Sequence, residues 1–300
     1  MQTGLSLLRG KFWGLLMARC LVTGHMGYIG THIYKKLIEL GHEVKGIDLK
    51  EGEDILTDLN DLKYQEFKPE YIFHLAAIPR VAYSMEHPHE VLYNNVVTSL
   101  NVLEFARIHG VKRVIYSSSS SVRGNGDGPT SPYGASKLIP ETLCKNYTKA
   151  FGIDTVCLRY FNVYSEDQKA EGPYATAVAN WMQYLRDGKD PFITGDGEQR
   201  RDMLYVHDAV AANIFCMEHE GLFNGQNFDT GTGNNISLNE LKEIVLENHP
   251  DTTFLYVDDR PGDVKLTKAE TKSLSDLGWT AKMDIRTGVS NCFKGVKNEV

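Results

Sequence analysis

The sequence predicts an α/β fold, a doubly wound parallel sheet that carries a smaller C-terminal lobe. Three observations point there. Short apolar runs alternate with long helical stretches through the first half of the 300-residue chain, the pattern of a parallel sheet covered on both faces. The first run, Arg19-Cys20-Leu21-Val22-Thr23, leads straight into Gly24-His25-Met26-Gly27-Tyr28-Ile29-Gly30, a glycine turn that opens a helix. The second half changes character, with glycine-rich turns at Gly195-Asp196-Gly197 and Thr230-Gly231-Thr232-Gly233 between shorter elements.

The elements follow in order. After the strand at 19–23 comes a helix over about 28–40, stopped by Gly41, since glycine takes the left-handed conformation that ends helices. Strands are predicted at 43–48, 71–75, 114–116 and 155–158. Between them lie helices at about 89–109 and 132–150, the second opened by Ser131 as N-cap and Pro132 at the first helical position. Pro140 is expected to kink or split that helix. Ser237-Leu238-Asn239-Glu240 is a capping box that starts a helix at about 238–248.

Composition excludes several function classes. A hydrophobic content of 42% with 24% charged residues is ordinary globular material. The net charge of −7 offers no basic stripe for a nucleic acid, so an anionic small ligand must find local cations. No run approaches the roughly 18–20 apolar residues that span a bilayer. Cys20, Cys144, Cys157, Cys216 and Cys292 are scattered without metal-ligand spacing, which fits a reducing, cytoplasmic setting. Arg9 and Lys11 precede a short apolar stretch, but the first strand follows at once and leaves no room for a signal-peptide cleavage site. Residues 1–17 are therefore expected to be an N-terminal extension. His87 and His89 flank Pro88 at a helix start and are expected to be solvated, with no metal site in the chain.

Strand, glycine turn and helix in that order suit a dinucleotide. One glycine turns the chain, the next lets the backbone approach a pyrophosphate, and the third lets helix and strand pack while the helix N-terminus faces the anion. Gly24, Gly27, Tyr28, Ile29 and Gly30 thus form the expected cofactor cradle. Asp48 closes the second strand 18 residues after Gly30, close to the roughly 20-residue spacing at which a carboxylate accepts the adenosine ribose hydroxyls. A carboxylate there repels a 2′-phosphate, so NAD is favoured over NADP. Asp54 and Ile55 are placed at the adenine edge. Residues 18–165 are then a Rossmann-type NAD-binding domain with a returning segment at about 202–230, and 166–201 with 231–300 are the substrate lobe.

Ser131-Pro132-Tyr133-Gly134-Ala135-Ser136-Lys137 puts Tyr133 and Lys137 on one helical face, after a strand that ends in the serine run 117–121. With 15 tyrosines about one such spacing arises by chance, so position at the carboxyl ends of the sheet carries the weight. A phenol with an ordinary pKa near 10 becomes a base at neutral pH only if its anion gains roughly 4 kcal/mol. A lysine ammonium and an oxidised nicotinamide are two positive charges suited to that. Tyr133 would take a proton from a substrate hydroxyl while a hydride leaves the same carbon for NAD, and a serine would hold the oxygen.

At these residues the chain resembles an extended short-chain dehydrogenase/reductase of the nucleotide-sugar epimerase/dehydratase kind. The likeness runs nearly end to end: besides the glycine loop, Asp48 and Tyr133/Lys137, it includes His74-Leu75-Ala76-Ala77, Asn95, Arg159-Tyr160-Phe161-Asn162, the 195–210 stretch and Arg260-Pro261-Gly262-Asp263-Val264. The resemblance implies a nucleotide-diphosphate sugar substrate. It implies that Leu75, Ala76, Ala77 and Ser117 line the cofactor, that Asn95 orders the core beside it, and that Tyr160 packs by the nicotinamide. Asn162 would meet the sugar or phosphate, and Arg201 and Arg260 with Asp263 would grip the diphosphate. The long helices at about 89–109 and 132–150 resemble those through which the family forms a four-helix dimer interface, so a homodimer is expected.

Counting back from Gly124, the family's catalytic hydroxyl falls on Ser119. Dehydratases of the family carry acidic residues at the next two positions and decarboxylases a Glu at the second; this chain has Ser120 and Ser121. The likeness therefore implies 4-epimerisation through a 4-keto sugar. Thr267 stands at the family's gatekeeper position, where a small residue leaves room for a 2-acetamido group. UDP-N-acetylglucosamine/UDP-N-acetylgalactosamine are thus expected substrates alongside UDP-glucose/UDP-galactose. Arg123 replaces the usual tyrosine of the family, and only eight residues separate Gly124 from Tyr133. Ser84 is a further sugar contact or a helix-starting serine. Glucuronate epimerisation, dehydration, and a non-catalytic NAD-binding regulator on the same fold are the alternatives.

Overall fold

The computed structural model describes residues 17–170, 176–259 and 264–296. Six parallel strands form the main sheet: β1 (Arg19–Thr23), β2 (Glu43–Ile47), β3 (Tyr71–His74), β4 (Arg113–Ser119), β5 (Asp154–Tyr160) and, from the second half of the chain, β10 (Gln226–Thr230). Their order is β10-β5-β4-β3-β1-β2. The chain winds from β1 to β2 on one side and then returns to place β3 on the other. The carboxyl ends of β1 and β3 therefore flank the point where the winding reverses, the place where open α/β sheets bind ligands.

Both faces are covered because neighbouring strand residues point opposite ways. Cys20, Val22, Phe73, Ile115 and Leu158 pack toward α1 (Tyr28–Glu39) and α7 (Val206–Glu218). Leu21, Ile72, Val114, Tyr116 and Cys157 pack toward α4 (Pro88–His109) and α5 (Pro132–Phe151). Each fully buried aliphatic side chain contributes about 1.5–3 kcal/mol. All five cysteines are unpaired and buried. Among the described residues no helix is long and apolar enough to cross a membrane.

Two sequence expectations are corrected here. Pro140 neither splits nor ends α5, which runs unbroken to Phe151. Proline removes only the bond to the Ser136 carbonyl, and the buried face of α5 outweighs that loss. The strand predicted at 114–116 extends to Ser119, because β5 continues the ladder as far as the Ser119–Tyr160 pair.

Two short helices interrupt the main alternation: α2 (Leu62–Phe67) between β2 and β3, and the one-and-a-half-turn α3 (Val81–Glu86) between β3 and α4. The lobe has its own core of Val178, Trp181, Met182, Leu241, Ile244, Val289 and Phe293. These come from α6 (Ala177–Arg186), α8 (Leu238–Asn248) and α10 (Ile285–Lys294), with α9 (Lys272–Ser275) between the last two. Three two-stranded ladders complete it: β6 (Val163–Tyr164) with β9 (Leu204–Tyr205), β7 (Phe192–Thr194) with β12 (Leu255–Val257), and β8 (Arg200–Arg201) with β11 (Ile236–Ser237). The capping box at Ser237 and Glu240 starts α8.

Candidate active site

The glycine loop packs closely against its own backbone and against the segment that follows β3. Gly24 has φ +70°, and a Cβ there would lie 2.7 Å from the Ala76 nitrogen. A Cβ on Gly30 would lie 2.1 Å from the Gly24 carbonyl oxygen, so α1 packs this closely on β1 only with glycine. Gly27 is the N-cap of α1 and no side chain caps it. The first N–H groups of the helix thus face the cleft, as an anion-binding site requires. Asp48 stands across the loop: one carboxylate oxygen accepts Met26 N–H and the other Lys50 N–H, both at 2.9 Å, leaving lone pairs for ribose hydroxyls. His25 lies buried under this clasp, its Nε2 3.2 Å from Glu51, its ring against Gly46, where a Cβ would come within 2.3 Å. These features fit an NAD molecule: a glycine turn packed too tightly on its own backbone to carry side chains, an uncapped helix start and a carboxylate at the second strand end.

Around that cradle the expected cofactor residues divide. Leu75 and Ala76 follow β3, their N–H groups bonded to Thr23 Oγ1 at 3.2 Å, so the wall formed with Ala77 is fixed to β1. Tyr28 is turned away; its hydroxyl bonds Ser165 at 2.6 Å and joins α1 to the start of the lobe, while Ile29 packs against the core. Asp54 accepts Leu56 N–H at 2.9 Å. The Ile55 side chain belongs to the core, so only its backbone is left for an adenine edge. Asn95 touches no open surface: it is 1% exposed, accepts Ile78 N–H at 2.7 Å, and donates to the Ile78 carbonyl and to Ser136. It clamps the segment after Ala77 to α5.

Ser119, Tyr133 and Lys137 meet at the carboxyl end of β4. Lys137 is buried, donates to the Ser117 carbonyl at 3.0 Å and sits 5.2 Å above the Tyr116 ring. Burial pushes its ammonium down to about 8, against the pull of Glu141 one turn along α5. Burial also raises the Tyr133 phenol; a hydrogen bond with Ser119 and the charge of Arg80 act the other way. The net direction is upward, in keeping with the expectation that lysine and an oxidised nicotinamide are both needed to acidify the phenol. A further positive charge is needed to complete that acidification, and an oxidised nicotinamide supplies one. Tyr133 is held at both ends of its peptide unit, N–H to Ser84 Oγ at 3.0 Å and carbonyl to the Ser136 hydroxyl at 2.8 Å. Tyr160 places its hydroxyl between Ser117 and Asn213, so only its ring is left to pack against a ligand.

Ser84 is therefore corrected as a sugar contact and as a helix start. It lies inside α3, fully buried, its hydroxyl donating to the Val81 carbonyl at 2.6 Å and accepting from Tyr133. Nothing of it faces a ligand.

The expected substrate residues Asn162, Arg201 and Thr267 come together around Asp202, which sequence reading passed over. Asp202 is completely buried and accepts N–H groups from Thr232, Gly233 and Ala269 at 2.9–3.0 Å. It therefore pins the 230–233 turn and the 267–269 segment to β8. Asn162, at φ +32°, donates to the Asp202 carbonyl at 2.7 Å and lies 3.4 Å from Thr267 Oγ1. Arg201 is the neighbour of Asp202 on β8 and donates to the Arg200 carbonyl at 3.0 Å. Arg260 and Asp263 lie outside the described residues. The signal for Asp202 was present, an acid directly after two arginines in the 195–210 stretch, but the arginines suggested a ligand more strongly.

A second buried carboxylate was also missed. Glu141 follows Tyr133 and Lys137 on the same face of α5 and accepts four bonds: Ser118 Oγ at 2.5 Å, Arg159 at 2.8 and 2.6 Å, and Asn227 at 2.9 Å. Asp229, 1% exposed, takes Arg123 at 2.8 Å and Glu270 N–H at 3.0 Å. Arg123, where the family has tyrosine, thus ties the turn after Ser119 to the 267–270 segment.

Comparison with known proteins agrees with this geometry. The NAD dependent epimerase/dehydratase family matches residues 20–231. The UDP-glucose 4-epimerase of Mycolicibacterium smegmatis is 31% identical over 94% of this chain and 99% of its own. The Thermotoga maritima UDP-glucose 4-epimerase, solved with UDP-glucose, superposes with a TM-score of 0.85 at 30% identity, over 92% of this chain and 97% of the other. The UDP-N-acetylglucosamine 4-epimerase of Methanobrevibacter ruminantium M1, solved with UDP-N-acetylmuramic acid, gives the same TM-score and identity over 93% and 98%. With its glycine cradle, its serine, tyrosine and lysine at one strand end and a family match over more than half its length, the chain belongs to the NAD-dependent epimerase/dehydratase family.

Proposed function

We propose that this protein is an NAD-dependent nucleotide-sugar 4-epimerase, acting on UDP-N-acetylglucosamine/UDP-N-acetylgalactosamine and on UDP-glucose/UDP-galactose. The observation that carries the choice of reaction is the surroundings of Ser119. Ser120 and Ser121 follow it. The carboxylates at this end of the sheet, Glu141 and Asp229, are buried against Arg159 and Arg123. Elimination of water and loss of carbon dioxide both draw on an additional acid or base, and these two carboxylates are engaged elsewhere.

When bound, NAD supplies an oxidant that stores the C4 hydrogen and gives it back. The chain supplies the rest. Ser119 holds the C4 oxygen, and the Tyr133 oxygen takes its proton and later returns it. Lys137 stabilises the phenolate, and the wall at Leu75–Ala77 fixes the plane of the cofactor. Arg201, with Arg260 and Asp263, would hold the diphosphate. Thr267, small and bonded to Asn162 and Asp202, stands at the family's gatekeeper position and would leave room for a 2-acetamido group. Exposed Tyr93, Leu100 and Ile108 on α4 and Ile139 on α5 support a homodimer built on those helices.

The test is to incubate pure protein with UDP-glucose, UDP-N-acetylglucosamine and UDP-glucuronate without added cofactor and separate the products. Epimers of the first two support the proposal. A 4-keto-6-deoxy sugar, conversion of UDP-glucuronate alone, or bound NAD with no turnover replaces it by a dehydratase, a glucuronate epimerase or a regulator.

A further inference from the structure

His74 ends β3 directly before the Leu75–Ala77 wall and is 2% exposed. Both of its ring nitrogens have partners on other elements: Nδ1 lies 2.8 Å from Thr23 Oγ1 on β1, and Nε2 lies 3.0 Å from Ser99 Oγ on α4. A neutral imidazole carries one ring proton, so one nitrogen donates and the other accepts. The neighbours decide which. Ser99 gives its hydroxyl hydrogen to the Asn95 carbonyl at 2.7 Å, so its oxygen meets Nε2 as an acceptor. Thr23 Oγ1 accepts the Leu75 and Ala76 N–H groups, which leaves its own hydrogen for Nδ1. A proton on Nδ1 would displace that hydrogen and pull Ser99 away from Asn95.

With the proton on Nε2 the bonds run in one direction through the interior. Ala76 N–H donates to Thr23, Thr23 to His74, His74 to Ser99, and Ser99 to the Asn95 carbonyl. The Asn95 amide donates to Ser136 at 2.9 Å, and Ser136 donates to the Tyr133 carbonyl at 2.8 Å. Bonds aligned head to tail in a dry interior strengthen one another. A charged imidazole is disfavoured here, since burial, aided by the charge of Lys137, pushes it down to about 3.

We infer that His74 is a positioning residue: held in one neutral form with its proton on Nε2, it fixes the cofactor wall after β3 relative to Tyr133. The inference deepens the epimerase reading and rests on it. In that reaction hydride and proton leave one C–O–H group, so wall and phenol must keep a fixed spacing, and a misplacement of about 1 Å costs rate. Buried as it is, His74 acts through the elements it joins.

The experiment compares Ser99→Ala, which removes the acceptor of Nε2 and leaves His74 in place, with His74→Phe, which keeps a ring and removes both bonds. Thr98→Ala is the control: it deletes a comparably buried hydroxyl on the same helix, one that donates to the Asn94 carbonyl at 2.7 Å and stands outside the line. Nitrogen-15 spectra of histidine-labelled protein, with the His74→Phe spectrum subtracted, should show His74 at neutral pH with Nε2 protonated and Nδ1 bare. Should His74→Phe not fold, the ring whose signals move in Ser99→Ala supplies the assignment. For Ser99→Ala we expect kcat to fall on the order of tenfold, the worth of one buried hydrogen bond, with KM for the sugar nucleotide little altered. NAD binding, followed by calorimetry, should weaken by a similar factor. Thr98→Ala should keep the parent's kcat and NAD affinity.

A proton on Nδ1, or a charged imidazole at neutral pH, overturns the inference. So do parent-like kcat and NAD affinity in Ser99→Ala, or equal losses in Thr98→Ala, which would reduce the effect to the packing of α4. If the parent binds NAD yet converts no sugar, the epimerase reading fails instead, and the nitrogen spectra with the NAD titrations still decide the role of His74.

Discussion

Ser84 Oγ accepts the backbone N–H of Tyr133 at 3.0 Å, so a fully buried hydroxyl on α3 is tied to the first turn of α5. Ser84→Ala leaves that N–H without its partner in a dry place, a loss of about 1–3 kcal/mol. We expect lower stability by urea unfolding and a reduced kcat with little change in KM, since Tyr133 moves while the sugar's own contacts remain. An unchanged kcat would show that α5 is positioned without it.

Lys137 is taken from an ordinary 10.5 to about 8 by burial. Between those values the unfolded chain binds the proton more tightly than the folded one, so this residue makes stability rise with pH across that window. Below it the buried charge is a net cost. Lys137→Met should therefore be more stable than the parent at pH 7, by up to about 3 kcal/mol, and the margin should vanish above pH 10, while epimerisation is lost. Denaturant curves at both pH values check the sign.

Glu141 carries four hydrogen bonds at 1% exposure. Glu141→Ala strands Arg159 and should cost about 3–5 kcal/mol, as removal of one partner of a buried ion pair does. Arg200→Ala, whose partner Glu240 is half exposed, should cost less than about 1 kcal/mol. Equal losses in thermal melts would refute the distinction.

Gly46 is glycine because the His25 ring lies against it. Gly46→Ala should displace the ring from beneath the clasp between Met26 and Asp48, weakening NAD binding on the order of tenfold. The double variant with His25→Gly should recover it. Calorimetric titration of NAD into both measures the compensation.

Thr267 is small and lies beside Asn162. Thr267→Tyr should reduce kcat/KM for the N-acetylated pair by about tenfold or more, sparing UDP-glucose. A parallel loss on both pairs would place Thr267 in the framework alone.

Five of the six main-sheet strands, the glycine turn, Asp48 and the tyrosine-lysine pair were legible in the linear chain; β10 was not. Their signals are local: short continuous apolar runs, glycines at fixed spacing, an acid at a strand end, two residues one helical turn apart. What stayed hidden depends on partners far away in sequence. Ser84 read as a sugar contact because nothing near it in the chain reveals Tyr133, 49 residues on, as its partner. Asp202 gathers backbone from residues 30 to 67 positions away, and Glu141 acquires its meaning only when β5 brings Arg159 against α5. Ser119 needed β4 to run three residues past its apolar stretch, a continuation that β5 imposes through the ladder. Local periodicity decides which elements form. The buried hydrogen bonds that orient their side chains are settled only when the elements pack, because a carboxylate or hydroxyl leaves water only where its donors and acceptors are already in place.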